Sequence, residues 1–140
     1  MKACSVESRL IASFGLLALV SACTASVGPP PPVPPPVGTA IADWTIDGTK
    51  DPARCQASGA ATFHITLFSA SDRSVGDWVQ DCTAFATTIG GLFPDTYTGK
   101  AELLDADGRP RTTSVNLAPF GVIGDASVVV NVDFPADSFF

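Results

Sequence analysis

The chain has 140 residues, 46% of them hydrophobic, with 14 acidic against 8 basic side chains, one histidine and four cysteines. That length suits one domain of ordinary size. A net charge of −6 excludes nucleic acid or an anionic lipid surface as the main electrostatic partner, because both are polyanions.

The N-terminal segment is weakly positive, with Lys2 and Arg9 against Glu7, and is followed by an apolar run of eleven residues from Leu10 to Val20. Eleven residues are about half of the ~20 that a membrane-spanning helix needs, and they match the apolar core of a signal peptide. The run ends in Val20-Ser21-Ala22-Cys23. Ordinary cleavage beside Cys23-Thr24-Ala25 is the alternative reading of the same small residues.

Val20-Ser21-Ala22-Cys23 resembles the lipobox of bacterial lipoproteins. The resemblance implies that residues 1–22 are a signal peptide, that the thiol of Cys23 takes a diacylglyceryl group, and that Cys23 becomes the new N-terminus. Each buried methylene of such a lipid contributes about 0.8 kcal/mol, so two or three chains hold firmly where one does not. Thr24 stands where an aspartate would signal inner-membrane retention. By resemblance to the enterobacterial sorting rule, the expected location is the outer membrane, at its periplasmic face or the cell surface. Removing residues 1–22 leaves six basic and thirteen acidic side chains, a net charge of −7.

Residues 23–38 then form a linker, with seven prolines among positions 29–36. Proline fixes φ and lacks an amide donor, which excludes helix and central strand. The remaining conformation is polyproline II, at about 3.1 Å per residue a stiff spacer of roughly 25 Å. A run starting six residues after Cys23 reads as a stand-off between lipid and domain rather than as a docking peptide.

Residues 39–140 carry a period of two. Phe63, Ile65 and Leu67 alternate with Thr62, His64 and Thr66; Tyr97, Gly99, Ala101 and Leu103 alternate with Thr98, Lys100 and Glu102; Val128, Val130, Val132 and Phe134 alternate with Val129, Asn131 and Asp133. Alternation of this kind marks a half-buried strand. Ala42–Ile46, Trp78–Thr88 and Thr112–Leu117 are further strand candidates. Asp47-Gly48, Gly90-Gly91, Phe93-Pro94-Asp95, Asp107-Gly108 and Gly124-Asp125 are the expected turns. No stretch carries a sustained period of 3.6. Six to seven short strands at this spacing predict an all-β, antiparallel β-sandwich.

Leu92-Phe93-Pro94-Asp95-Thr96-Tyr97, followed by a strand, resembles the corner before a late strand in immunoglobulin-like and prealbumin-like sandwiches. There the resemblance implies that the Tyr97 hydroxyl bonds back to the turn backbone.

Of the four cysteines, Cys4 leaves with the signal peptide and Cys23 carries lipid, so Cys55 and Cys82 remain. In an exported chain such a pair is expected to close as a structural disulfide. The predicted bond ties the segment before the Ala60–Phe68 strand to a cysteine inside a later strand. Two isolated cysteines without neighbouring histidines do not complete a zinc site, and no metal or cofactor is expected.

Catalytic vocabulary is sparse. His64 alternates with Phe63 and Ile65, and reads as an exposed strand residue rather than a general base. Asp105-Ala106-Asp107-Gly108 begins like a calcium loop, but Arg109-Pro110-Arg111 stand where later ligands are needed, so a hairpin turn explains it. Trp44 and Trp78 are the candidate binding aromatics, suited to stacking on sugar, against a core role for at least one of them. Phe139 and Phe140 are expected to cap the sandwich, or to form an interaction patch where exposed. Together these readings predict an envelope lipoprotein with a non-catalytic binding or structural domain, held to membrane by lipid, with a protein or glycan partner and no nucleic acid. The alternatives are a small carbohydrate-active or peptidase-like enzyme, and an inhibitor or assembly factor of an envelope complex.

Overall fold

The computed structural model describes residue 28 and residues 32–140; the expected signal peptide, the expected lipidation site Cys23 and Pro29–Pro31 lie outside the described residues. Seven strands form two sheets: β1 (Gly38–Ile46), β2 (Thr62–Ser69), β3 (Ser74–Asp81), β4 (Ala86–Leu92), β5 (Asp95–Leu104), β6 (Val115–Val122) and β7 (Ser127–Phe134). One sheet has the order β4-β1-β7, the other β3-β2-β5-β6. The all-β sandwich expected from the period-two pattern is therefore the fold.

Strand order departs from one of the sandwich types that the sequence resembles. Immunoglobulin constant domains place the first, second, fifth and fourth strands in one sheet. Here the first strand sits instead between the fourth and seventh, so the order is not that of the immunoglobulin constant type. One pair also departs from the expected antiparallel pattern: β1 and β7 run parallel through eight registered pairs, Thr39↔Ser127 to Ile46↔Phe134. Parallel neighbours require a long crossover, and here the crossover is the whole intervening chain.

Alternation decides which faces meet. Ala40, Ala42, Trp44 and Ile46 of β1 and Val130, Val132 and Phe134 of β7 turn inward against Phe63, Ile65 and Leu67 of β2 and Tyr97, Ala101 and Leu103 of β5. Trp44 lies flat on Phe63 across the interior, ring centroids 4.0 Å apart and planes 1° from parallel, and the edge of Phe134 meets Phe63 at 6.2 Å. The Trp44 Nε1–H donates to the Cys82 carbonyl at 3.1 Å, which satisfies the one polar atom that this burial would otherwise strand.

Three local expectations are corrected. Gly90-Gly91 is not a turn but part of β4: Ala40 pairs with Ile89 and Gly38 with Leu92, so two glycines oppose one residue and form a bulge, with Gly91 at φ +75°. The single strand expected over Trp78–Thr88 is divided into β3 and β4 by a short 3-10 turn, Cys82–Ala84. Cys82 thus lies in a turn and not inside a strand. A short helix, α1 (Pro52–Ser58), stands where no helical period is visible. Seven residues are too few to show one, but its end signals are plain: Asp51 accepts from the Ala53 amide, Pro52 opens the helix, and Gly59 closes it in the left-handed region.

The disulfide is present between Cys55 and Cys82, with Cα atoms 6.0 Å apart. It joins α1 to the 3-10 turn, both lying over the same end of the sandwich. Tyr97 fills the corner role, its hydroxyl donating to the Phe93 carbonyl at 2.7 Å. Burial, and next the negative charge of Asp95, raise the Tyr97 pKa above the ordinary tyrosine value.

Candidate functional site

The strand directions give the domain two distinct ends. Val37 and Gly38, the β4–β5 corner and the β6–β7 turn share one end, where the Asp125 amide donates to the Val37 carbonyl at 3.0 Å. The segments 47–61, 82–85, 105–114 and 135–140 share the other. Residues 33–38 therefore enter at one end, and α1, the disulfide and the C-terminal segment gather at the opposite, distal end.

An open pocket of about 320 Å³ lies at that distal end, lined by Ile46, Asp47, Arg54, Ala57, Ser58, Arg111, Ala136, Phe139 and Phe140. Its parts are held by backbone geometry. Arg111 donates its amide to Leu103 at 2.7 Å and accepts from the Phe140 amide at 3.2 Å, so β5 and the C-terminal segment clamp it from both sides. Its Nε–H reaches the Ser58 carbonyl at 3.0 Å, closing the last turn of α1 where a cation is favoured. Thr112, buried beside it, accepts from the Leu103 amide at 3.0 Å. Phe139 packs partly against the core, whereas Phe140 is 73% exposed. The terminal aromatics so divide the two roles expected of them, one capping and one facing outward.

Charge at this end is uneven. Lys50, Arg54 and Arg109 pair with Asp43, Asp47 and Asp107 at 2.6, 3.3 and 2.7 Å. Arg111 has no carboxylate within salt-bridge distance among the described residues. A guanidinium anchored through Nε beside apolar walls can take an anionic group in its planar fork. Sequence reading assigned Arg111 only to a failed calcium loop. It missed the pocket because the residues that build it come from four separate segments.

The residues singled out from the sequence fall elsewhere. Trp44 is fully buried, so it is corrected from a candidate binding aromatic to a core residue; its place in the inward set of β1 leaves no face for a ligand. Trp78 pairs with Ile65 on β3, an edge strand, and its indole lies over Gly76, whose added Cβ would stand 3.0 Å from the ring. It is half-buried at the sheet edge. The two tryptophans do not share a surface.

His64 sits on the outer face of the four-stranded sheet between two carboxylates. Its Nδ1 lies 3.1 Å from Glu102 Oε1 and its Nε2 3.4 Å from Asp77 Oδ1. Thr66 donates to the same Asp77, and Ser114 to Glu102 at 3.3 Å. Cross-strand register thus makes a network that the sequence did not reveal. Both hydroxyls bond carboxylates rather than the imidazole, so no nucleophile–base pair is formed. Asp105 closes its own hairpin, accepting from the Asp107 and Arg109 amides at 2.9 Å each. Those bonds, the Arg109 amide foremost, lower its pKa. The loop is a turn, as expected.

No family model matches the chain, and no curated protein matches it. Among solved structures, it is similar to a leucine-rich repeat protein from Bacteroides thetaiotaomicron at TM-score 0.44 and 16% identity, over 73% of this chain and 15% of that one. It is also similar to a protein from the same organism described as polysaccharide-binding (DUF1812), at TM-score 0.41 and 9% identity, over 67% of this chain and 46% of that one. The chain thus spans less than half the length of either, and at these scores neither likeness assigns a function.

Proposed function

We propose that the chain is a lipid-anchored envelope protein whose β-sandwich is a binding domain that offers its distal end to a partner. The observation that carries this reading is the polarity of the domain. The segment leading from Cys23 and the proline run enters at one end, and the Arg111–Phe139 pocket lies at the other. A tether attached at Gly38 leaves that pocket unobstructed by its own attachment. The lipobox at Val20–Cys23 and the spacer of residues 29–36 supply the anchor and the reach. The pocket chemistry, the Arg111 guanidinium beside apolar side chains and next to the Arg54–Asp47 pair, fits an anionic group carried on an apolar body. A protein side chain or terminus and an acidic sugar both meet that description.

The test places a photo-crosslinking amino acid at Phe140, or at Ile123 on the linker end, in the full chain expressed in its own envelope. A discrete adduct from Phe140 and none from Ile123 is expected. In the same cells, Cys23→Ser should move the chain out of the membrane fraction. Equal adducts from both ends, or none, would overturn the distal-end reading. Membrane retention of Cys23→Ser would overturn the anchor.

A further inference from the structure

Each sheet of an open sandwich has two edges, and natural proteins blunt such edges with charges, prolines or bulges. Three of the four here are blunted. The β3 edge carries Asp77 and Asp81 and a register shift at Leu67/Phe68. The β4 edge carries the Gly90-Gly91 bulge. The β6 edge contains Pro119 and a register shift opposite Tyr97/Gly99. The fourth, β7, has eight residues in unbroken register, no proline, no basic residue and a single acid, Asp133, near its end. Its solvent face carries Val129, 55% exposed.

The hydrogen-bond phase of this edge can be read directly. The Thr39 amide donates to Ala126 and the Asp47 amide to Phe134, both at 2.9 Å, which brackets the β1–β7 ladder. In a parallel ladder alternate residues turn both backbone groups to the same neighbour. Val128, Val130 and Val132 therefore bond β1, while Ser127, Val129, Asn131 and Asp133 point their N–H and C=O groups out of the sheet. Among the described residues, nothing pairs with them.

We infer that β7 is a self-association edge, and that two copies of this chain pair antiparallel through it about a two-fold axis at Val130. That register sets Val129 opposite Asn131 and Ser127 opposite Asp133. Both of these pairs, each made twice by the two-fold, join residues whose backbone groups already point outward, and roughly eight inter-chain hydrogen bonds close. Charge favours this register: each Asp133 meets a serine, and the two aspartates lie at opposite ends of the seam. Val128 meets Val132 on the inner face, continuing the apolar layer. The product is one six-stranded sheet, β4-β1-β7-β7-β1-β4, with an isologous interface. The two linker entries point in opposite directions.

The full chain is tested in its own membrane. Val129→Cys and Asn131→Cys copies, expressed together under oxidising conditions, should give a covalent dimer at least tenfold above either variant alone, since the register brings 129 against 131 and leaves identical positions diagonal. The second measurement uses Asn131→Pro. Its amide points away from β1, so the folded single chain keeps every bond, whereas the seam loses donors and meets a ring. Sedimentation equilibrium of the detergent-purified chain should show a dimer for wild type and a monomer for Asn131→Pro, whose thermal unfolding midpoint should match that of wild type diluted until it too is monomeric. A wild type that is monomeric at millimolar concentration would overturn the inference. So would an Asn131→Pro dimer, or cross-linking of β7 cysteines only to a different protein.

Discussion

Replacing Cys55 and Cys82 together by alanine should remove about 3.5 kcal/mol of stability. The two sulfurs close a loop of 27 residues, and the chain-entropy relation gives a loss of roughly 12 cal/mol/K for a loop of that length, or about 3.5 kcal/mol at 25 °C. For a domain of this size, that lowers the thermal midpoint by roughly 15 °C. The effect should also have a place. α1 has seven residues, far below the ~12 needed for a marginally stable isolated helix, so the disulfide, the Arg111–Ser58 bond and the exposed Arg54–Asp47 pair hold it to the sandwich. Urea unfolding followed by tryptophan fluorescence measures the total, with Trp44 beneath the bond as the reporter. Hydrogen exchange measures the distribution. Amides of residues 52–60 should lose protection first, while β2 and β5 keep theirs up to the global transition. A loss below about 1 kcal/mol, or equal loosening of α1 and β5, would refute the reasoning.

Tyr97 is the one tyrosine in the chain, so its ionisation is directly readable by ultraviolet absorbance. Its pKa is raised in the folded state, so the corner contributes fully below the unfolded value near 10 and that contribution is lost as pH climbs through the folded value; Tyr97→Phe should cost about 1 kcal/mol and flatten the alkaline decline. Trp44→Ala should cost about 3–5 kcal/mol, measured by denaturant unfolding, and Trp78→Ala clearly less, because its ring is only half-covered. Gly38→Ala should destabilise by about 1–3 kcal/mol, since an added Cβ would meet the Ile123 carbonyl at 2.3 Å; a neutral result would show that the linker entry can shift. Asp81 has a pKa below the carboxylate norm, held there first by the Thr83 hydroxyl and next by its amide. Thr83→Ala should raise it in a carbon-13 NMR titration. The stability it contributes is present above the unfolded value and fades as pH falls through the folded one.

Most of the sheet was legible because alternation is a local signal. β2, β5 and β7 each show three or more inward apolar residues at spacing two, and each formed within a residue or two of the expected range. The Tyr97 corner was readable from six consecutive residues. What escaped depends on register between distant segments. Nothing near His64 announces Asp77 and Glu102, since only the β3-β2-β5 alignment brings them together. The Gly90-Gly91 pair reads as a turn until Thr39 is placed opposite it. Arg111 becomes a pocket residue through Ser58, 53 positions away. Trp44 and Trp78 look alike in sequence, and the difference between a central strand and an edge strand separated them.

The parallel seam between the first and last strands also determines how the domain bears load. Traction applied through the residues before Gly38 runs along the axis of β1. That strand is gripped on one side by β7 and on the other by β4. Its bonds therefore strain together in shear rather than opening one after another like a zip. A chain held from its N-terminal side and tugged at its distal end thus meets the force with a strand that is paired on both sides. The strand that follows the residues before Gly38 is then also arranged to resist being pulled apart.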